Sequence, residues 1–369
     1  MKVIVIRGNL KKALDSVVRV TGENSNLPIL KNILIKTSGS GMIFSSTNLE
    51  IALSYKLSGK IIENGEITVP AAIFYSIINN LSNEVINLDI IEKNNLRIKT
   101  DNYEATVNTL PTEDFPIIPN ISKENSSFKI DVEKIKRFLE QVLSSTQFSD
   151  LRPEINGILF NFDGNILKLA GTDSFRLSEK TVTSSDFNSN IKEGFKTIIP
   201  LKAINEFLKV FQEGIVEFYF DNNQVLFKND EIEMVSRLID GDFPDYEQIL
   251  PKSAEIEVIV DKEEMINALK VTGVLSGKVH DVLIKIKKDN KYIEIFSLNQ
   301  GIGENKYIIP AKIKGEDLEI NFNWQYLLSG IKSFKGEKII LGFNGSDRPT
   351  IIKSIEDEMY FYILMPVKN

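Results

Sequence analysis

The chain has 369 residues, with 44 Lys and Arg against 51 Asp and Glu, a formal net charge of −7, one histidine and no cysteine. That length exceeds one ordinary hydrophobic core and predicts two or three domains. The composition excludes disulfide frameworks, thiolate zinc sites and thiol nucleophiles. An acidic chain repels DNA on average, so any nucleic-acid contact needs its basic residues gathered on one surface.

The N-terminal run Val3–Ile6 is cut short by Arg7 and followed by Lys11 and Lys12, which is not a signal-peptide pattern. No apolar run reaches the roughly 18 residues of a membrane span. The expectation is a soluble, cytoplasmic protein.

The pattern then recurs three times. Val3–Ile6, Phe128–Ile130 and Ile256–Val260 each precede an amphipathic helix. The apolar positions are Leu10, Leu14, Val17 and Val18; then Val132, Ile135, Phe138, Leu139, Val142 and Leu143; then Met265, Ile266 and Leu269. Steps of three and four bury one face of each helix. Alternating strands follow, ending in Ser46-Thr47-Asn48-Leu49-Glu50, Gly171-Thr172-Asp173-Ser174-Phe175 and Phe296-Ser297-Leu298-Asn299-Gln300. Thr47, Thr172 and Ser297 are spaced by 125 residues each time. A second helix is predicted over 71–81, 201–211 and 323–334. Pro70 and Pro200 mark the first turn of two of them, and Asn323 caps the third.

A period of about 125 residues is too long for a solenoid, whose repeats run at roughly 20–50. It fits an α+β architecture of three similar domains, each with two helices packed on antiparallel sheets. The expected domains are 1–120, 127–251 and 252–369, with linkers near 117–127 and 247–255.

Chemistry is sparse. The single His280 has no partner group for a triad, and no GxxxxGK[ST] or strand-borne GxGxxG occurs. Gly301-Ile302-Gly303 lacks a third glycine. Asp240-Gly241-Asp242 fails as a calcium loop because Phe243 and Pro244 stand where liganding oxygens belong. No metal, cofactor or catalytic residue is expected. Basic residues recur on the helices: Lys11 and Lys12, Lys134, Lys136 and Arg137, Lys202 and Lys209, Lys270, and Lys332. They are either solvated helix faces or a diffuse surface that contacts phosphates without reading bases.

Several stretches carry a resemblance. They are Leu27-Pro28-Ile29-Leu30 with Asn32, Leu110-Pro111-Thr112-Glu113-Asp114-Phe115-Pro116, and Asn156-Gly157 with Leu159-Phe160. The others are Thr172-Asp173-Ser174-Phe175-Arg176-Leu177, Leu238-Ile239-Asp240-Gly241-Asp242-Phe243-Pro244-Asp245-Tyr246 and the terminal Met365-Pro366. In this order, with three repeats, the chain resembles the beta subunit of bacterial DNA polymerase III, the replication sliding clamp, over its whole length. The resemblance implies a non-catalytic homodimer joined head to tail in a ring around duplex DNA, with the helices lining the hole. It implies partners in the polymerase III catalytic subunit, the clamp loader and other proteins bearing a clamp-binding motif.

It further implies a hydrophobic pocket for that motif between the second and third domains. By position its residues are Ile155, Thr172, Ser174, Phe175, Arg176, Leu177, Pro244, Ile249, Ile363, Met365, Pro366 and Val367. Ile155, Leu177 and Ile363 read equally as core. Arg176 aids either by packing its stem or by hydrogen bonding. For the subunit interface the resemblance implies Val107 against Val274 and Leu275. The chain departs from the family at Ser174-Phe175, where many members have Gly-His, at Gln248, where relatives are often basic, at Lys368, where Arg is common, and at Asn24, where some relatives are basic. The competing readings are an enzyme with an unrecognised carboxylate site and a protein-binding scaffold that never encircles DNA.

Overall fold

The computed structural model describes residues 1–22, 26–91, 95–122, 126–251, 253–289 and 291–367; Asn24 and Lys368 lie outside them. Among the described residues six α-helices form: α1 (Arg7–Val17), α2 (Ala71–Asn80), α3 (Val132–Leu143), α4 (Leu201–Val210), α5 (Lys262–Thr272) and α6 (Trp324–Ser333). Each repeat contributes two. The helices bury most of the predicted stripe: Leu10, Leu14 and Val17 on α1, Val132, Ile135, Phe138, Leu139 and Val142 on α3, and Met265, Ile266 and Leu269 on α5, whereas Val18, just beyond α1, and Leu143, at the end of α3, are only half-buried. Each such side chain stabilises the fold by about 1.5–3 kcal/mol on full burial.

Two details of the helix ends differ from expectation. Pro70 and Pro200 end the preceding strands instead of sitting inside the first turn. Their fixed φ suits the extended residue before a helix equally well. Leu81 and Phe334 cap their helices from one residue outside. Asn323 caps α6 as expected, its side-chain oxygen accepting from the backbone N–H groups of Gln325 and Tyr326.

The chain divides into two compact units. One comprises residues 1–133, 187–192 and 202–238, the other 134–186, 193–201 and 239–369. The first unit holds a five-stranded and a nine-stranded sheet, the second a nine-stranded and a four-stranded sheet, and every pairing is antiparallel. Each nine-stranded sheet is built from two repeats, which is why the middle repeat contributes to both units. In the first unit, Ile51–Ser58 of repeat one pairs with Ile232–Arg237 of repeat two, Ile51 opposite Ser236. In the second, Arg176–Thr183 of repeat two pairs with Tyr360–Leu364 of repeat three, Arg176 opposite Leu364.

Both seams are fastened by a polar side chain facing inward. At the first, the Tyr55 hydroxyl donates to Glu231 at 2.6 Å. Burial first, then the Glu231 carboxylate, push the Tyr55 pKa far above its usual range. At the second, Lys180 pairs with Asp357, and Gln141 of α3 donates to the same carboxylate at 2.8 Å.

Gly171 shows why one strand needs a residue without a side chain. Its carbonyl accepts from Ser145 at 2.8 Å, and a Cβ there would stand 2.6 Å from the Thr146 methyl and 3.0 Å from the Val142 carbonyl. Gly171→Ala is therefore expected to destabilise the second unit by about 2 kcal/mol, the scale of core overpacking, read as a lowered thermal midpoint. Unchanged stability would show that the end of α3 yields freely.

Candidate functional site

The turn opening the strand Arg176–Thr183 is built by its own side chains. Thr172 Oγ1 accepts from Ser174 N at 3.1 Å and donates to the Arg176 carbonyl at 2.7 Å. Asp173 Oδ1 accepts from the N–H groups of Phe175 and Arg176, both at 3.0 Å. The price is backbone strain at Ser174, whose φ is +78°. The same turn recurs in repeat one. Thr47 and Asn48 make the equivalent four bonds, and Leu49 sits at φ +75°. A Leu in this left-handed region costs roughly 1–2 kcal/mol. Since Leu49 is exposed, Leu49→Gly should raise stability by about 0.5 kcal/mol after glycine's own entropy cost, measurable as a small rise in midpoint. A fall would mean that the Leu49 side chain contributes more than its exposure suggests.

Repeat three departs. There the Ser297 hydroxyl donates to the Thr272 carbonyl at 2.6 Å, as Ser46 does to Val17 at 2.6 Å. Ser297 is thus the counterpart of Ser46, one residue out of step with the 125-residue spacing to Thr172.

The terminal segment is tied to this turn. Met365 N donates to the Phe175 carbonyl, and Val367 N to the Asn321 carbonyl, both at 2.9 Å. Met365, Pro366 and Val367 are half-buried. Phe175 is 61% exposed, its ring 6.5 Å from that of Tyr326. Arg176 lies 4.2 Å over the Tyr326 ring, donates to Asp173 at 2.8 Å and reaches the Thr146 carbonyl at 3.4 Å. It therefore both stacks and hydrogen-bonds, within its own chain. Tyr362, whose hydroxyl donates to the Tyr326 carbonyl at 2.9 Å, has its pKa raised, first by burial. The strained Ser174 is held by Arg152 at 2.7 Å. Thr146, Arg152, Tyr326 and Tyr362 were not legible as neighbours of this site. Tyr326 gave the best signal, an aromatic one turn inside a capped helix.

Ile155, Leu177 and Ile363 are buried, the last two in a cluster with Leu159, Ile198 and Tyr246. All three are core residues in this fold. Tyr246 donates to Glu179, and burial first, then that carboxylate, raise its pKa. This pins the segment carrying Pro244, which is half-buried, and Ile249, which is 49% exposed. Gln248 bonds Asp245 at 2.7 Å.

The basic residues divide. Lys134 is paired with Asp186, Lys202 with Glu50 and Lys209 with Glu206. Arg137 lies 5.0 Å over the Phe138 ring. Lys11 and Lys136 are half-buried, while Lys12, Lys270 and Lys332 are exposed and have no carboxylate partner among the described residues. At the expected interface, Val274 is 77% exposed and Leu275 half-buried, but Val107 is only 8% exposed. Strand alternation turns the Val107 side chain into its own domain. What the strand Glu104–Asn108 offers outward is its unpaired backbone edge.

Comparison with known proteins accounts for this architecture. Three family models match in order: the N-terminal domain of the DNA polymerase III beta subunit over residues 1–119, its central domain over 129–245 and its C-terminal domain over 247–368. The beta sliding clamp of Pseudomonas aeruginosa is 28% identical and that of Bacillus subtilis 25%, each match covering 100% of both chains. The crystal structure of the Bacillus subtilis DNA polymerase sliding clamp superposes with a TM-score of 0.94 at 26% identity, over 100% of this chain and 99% of that one. A Pseudomonas aeruginosa clamp bound to griselimycin gives 0.93 at 26% identity, over 100% of both. The chain belongs to the DNA polymerase III beta subunit family, the non-catalytic sliding clamps that confer processivity on the polymerase.

Proposed function

We propose that two copies of this chain join head to tail, enclose duplex DNA, and hold partner proteins through a linear motif seated beside the C-terminus. The observation that carries the dimer is the pattern of strand edges. A strand of repeat one pairs with repeat two, and its counterpart in repeat two pairs with repeat three. The counterpart in repeat three, Gly303–Pro310, ends the four-stranded sheet, and Glu104–Asn108 of repeat one ends the five-stranded sheet. Two complementary unpaired edges on one molecule favour a heterologous contact with a second copy.

The DNA face is the set of helix-borne cations. Unpaired Lys12, Lys270 and Lys332 contact phosphates directly, while the ion-paired Lys134, Lys202 and Lys209 contribute less. With so few free charges the contacts are weak and unspecific, which sliding requires. The motif pocket combines Phe175, Ile249, Met365, Pro366 and Val367 at the surface over the buried Leu177 and Ile363. Flexible Met and exposed apolar rims suit several partners, among them the polymerase III catalytic subunit and the clamp loader. The domains are 1–120, 127–251 and 252–369. No helix among the described residues is long and apolar enough to cross a membrane, and the protein acts in the cytoplasm.

The test is primer extension by polymerase III on a primed circle with loader and ATP. Addition of the chain should lengthen products by at least an order of magnitude. Lys12→Glu with Lys270→Glu should shorten them and flatten their dependence on salt. Products no longer than those of polymerase alone would overturn the proposal.

A further inference from the structure

The seam inside the first unit holds a cavity of its own. Backbone bonds fix how this seam corresponds to the one in the second unit. Arg237 N donates to the Glu50 carbonyl, as Met365 N donates to the Phe175 carbonyl. Val235 pairs with Ala52, as Ile363 pairs with Leu177. Leu49 therefore stands where Ser174 stands, Glu50 at the place of Phe175 and Arg237 at the place of Met365. The backbone scaffold is repeated and the side chains are not.

The cavity measures about 110 Å³ and is lined by Leu49, Ala52, Pro116, Ile117, Val235 and Arg237, together with Glu50 and Gln224. A cavity of roughly 150 Å³ holds one benzene molecule, and small-molecule sites start at roughly 300 Å³. This one accepts a single aliphatic side chain and no cofactor. Its floor is buried, since Val235 packs with Ile121, Tyr219 and Leu226. Its walls are open, with Leu49 45% exposed and Ile117 95% exposed.

Two features point to an occupant. Leu49 holds its left-handed φ of +75° with its side chain in solvent. Glycine would carry the same turn without strain. The fold thus bears strain for an apolar side chain that it does not itself bury. Arg237 is exposed and has no ion pair among the described residues. Glu50, the acid among the lining residues, is already paired with Lys202 at 3.2 Å. The rim is therefore positive at Arg237, and an anionic group is its complement.

We infer that this cavity is a second peptide-binding site, which takes an extended segment of a partner protein bearing an aliphatic residue and, two positions away, Asp or Glu. The spacing follows from the strand Ile232–Arg237, where Val235 and Arg237 lie on one face. Two residues of strand span about 7 Å, and an extended peptide presents its alternate side chains at the same interval. The aliphatic side chain enters between Leu49 and Ile117 onto Val235, and the carboxylate meets the Arg237 guanidinium. Met365 offers no charge at the corresponding place, so the two seams select different peptides.

Fluorescence anisotropy tests this with a labelled heptapeptide in which Leu and Asp stand two positions apart among Ser and Gly residues. The full chain and the chain ending at Leu364, which lacks Met365, Pro366 and Val367, both bind it saturably and equally well. Leu49→Gly weakens binding about tenfold or more while the thermal midpoint does not fall, which separates lost binding from lost fold. Arg237→Glu weakens it about tenfold, and a peptide with Lys in place of Asp binds Arg237→Glu better than it binds the unaltered chain. Binding that disappears in the chain ending at Leu364 belongs to the other seam and overturns the inference. So does binding that either substitution leaves unchanged, or a full chain that millimolar peptide does not saturate.

Discussion

A chain ending at Leu364 should lose affinity for a motif peptide by about a hundredfold or more while remaining folded, because anchor residues in a central pocket dominate binding. The last strand and the core around Tyr360, Tyr362 and Leu364 are untouched by the cut. What disappears are the surface groups of Met365, Pro366 and Val367, and the two backbone bonds that tie them to Phe175 and Asn321. Those bonds contribute about 1 kcal/mol each, so a loss of roughly 2 kcal/mol in stability accompanies the loss of binding. Fluorescence anisotropy with a labelled peptide carrying hydrophobic anchors reads the affinity, and circular dichroism verifies the fold. A folded truncated chain with unchanged affinity would place the pocket elsewhere. Phe175→Ala, which leaves the tail in place, should weaken the same peptide about tenfold.

Lys180→Ala is expected to be the most destabilising single change, at about 3–5 kcal/mol. Lys180 and Asp357 are both largely buried, and removal of the ammonium leaves a carboxylate with Gln141 as its remaining donor. The Lys180 Nζ also lies 5.2 Å from the Phe138 ring. A fall of roughly 10 °C in the midpoint of the second unit corresponds to that loss. The double change Lys180→Met with Asp357→Leu should recover most of it, since a buried ion pair contributes little net stability over apolar residues of similar volume. Calorimetry separates these outcomes. A cost below about 1 kcal/mol for the single change would show that water reaches the seam and satisfies Asp357.

The threefold repeat was legible because helix periodicity is a local signal. Leu10, Leu14 and Val17 could be assigned to a buried stripe without knowing what they touch. The turn at Thr172–Arg176 was legible as a recurrence but not as a strained Asx-type turn, because its bonds become visible only once Leu49 and Ser174 show positive φ. Tertiary neighbours were out of reach. Nothing in the spacing brings Tyr326 beneath Arg176, or Lys180 to Asp357, since these contacts cross between repeats. Val107 shows the converse limit. The resemblance set it at a subunit interface, whereas the structure puts it on an edge strand with its side chain turned inward, a direction that depends on a register which a one-residue shift inverts. Ser297 likewise fell one residue away from its true counterpart, because repeat three forms a different turn there.

The most direct measurement is retention on closed against linear DNA. Labelled protein is loaded by its loader and ATP onto a nicked circle, freed of unbound chain by gel filtration in high salt, and then treated with a restriction enzyme that cuts the circle once. An enclosing ring stays on the circle for many minutes at a salt concentration that abolishes phosphate contacts, and runs off within seconds to minutes of linearisation. Equal retention on both forms, or release from the circle by salt alone, would contradict topological enclosure and leave a protein that merely binds DNA.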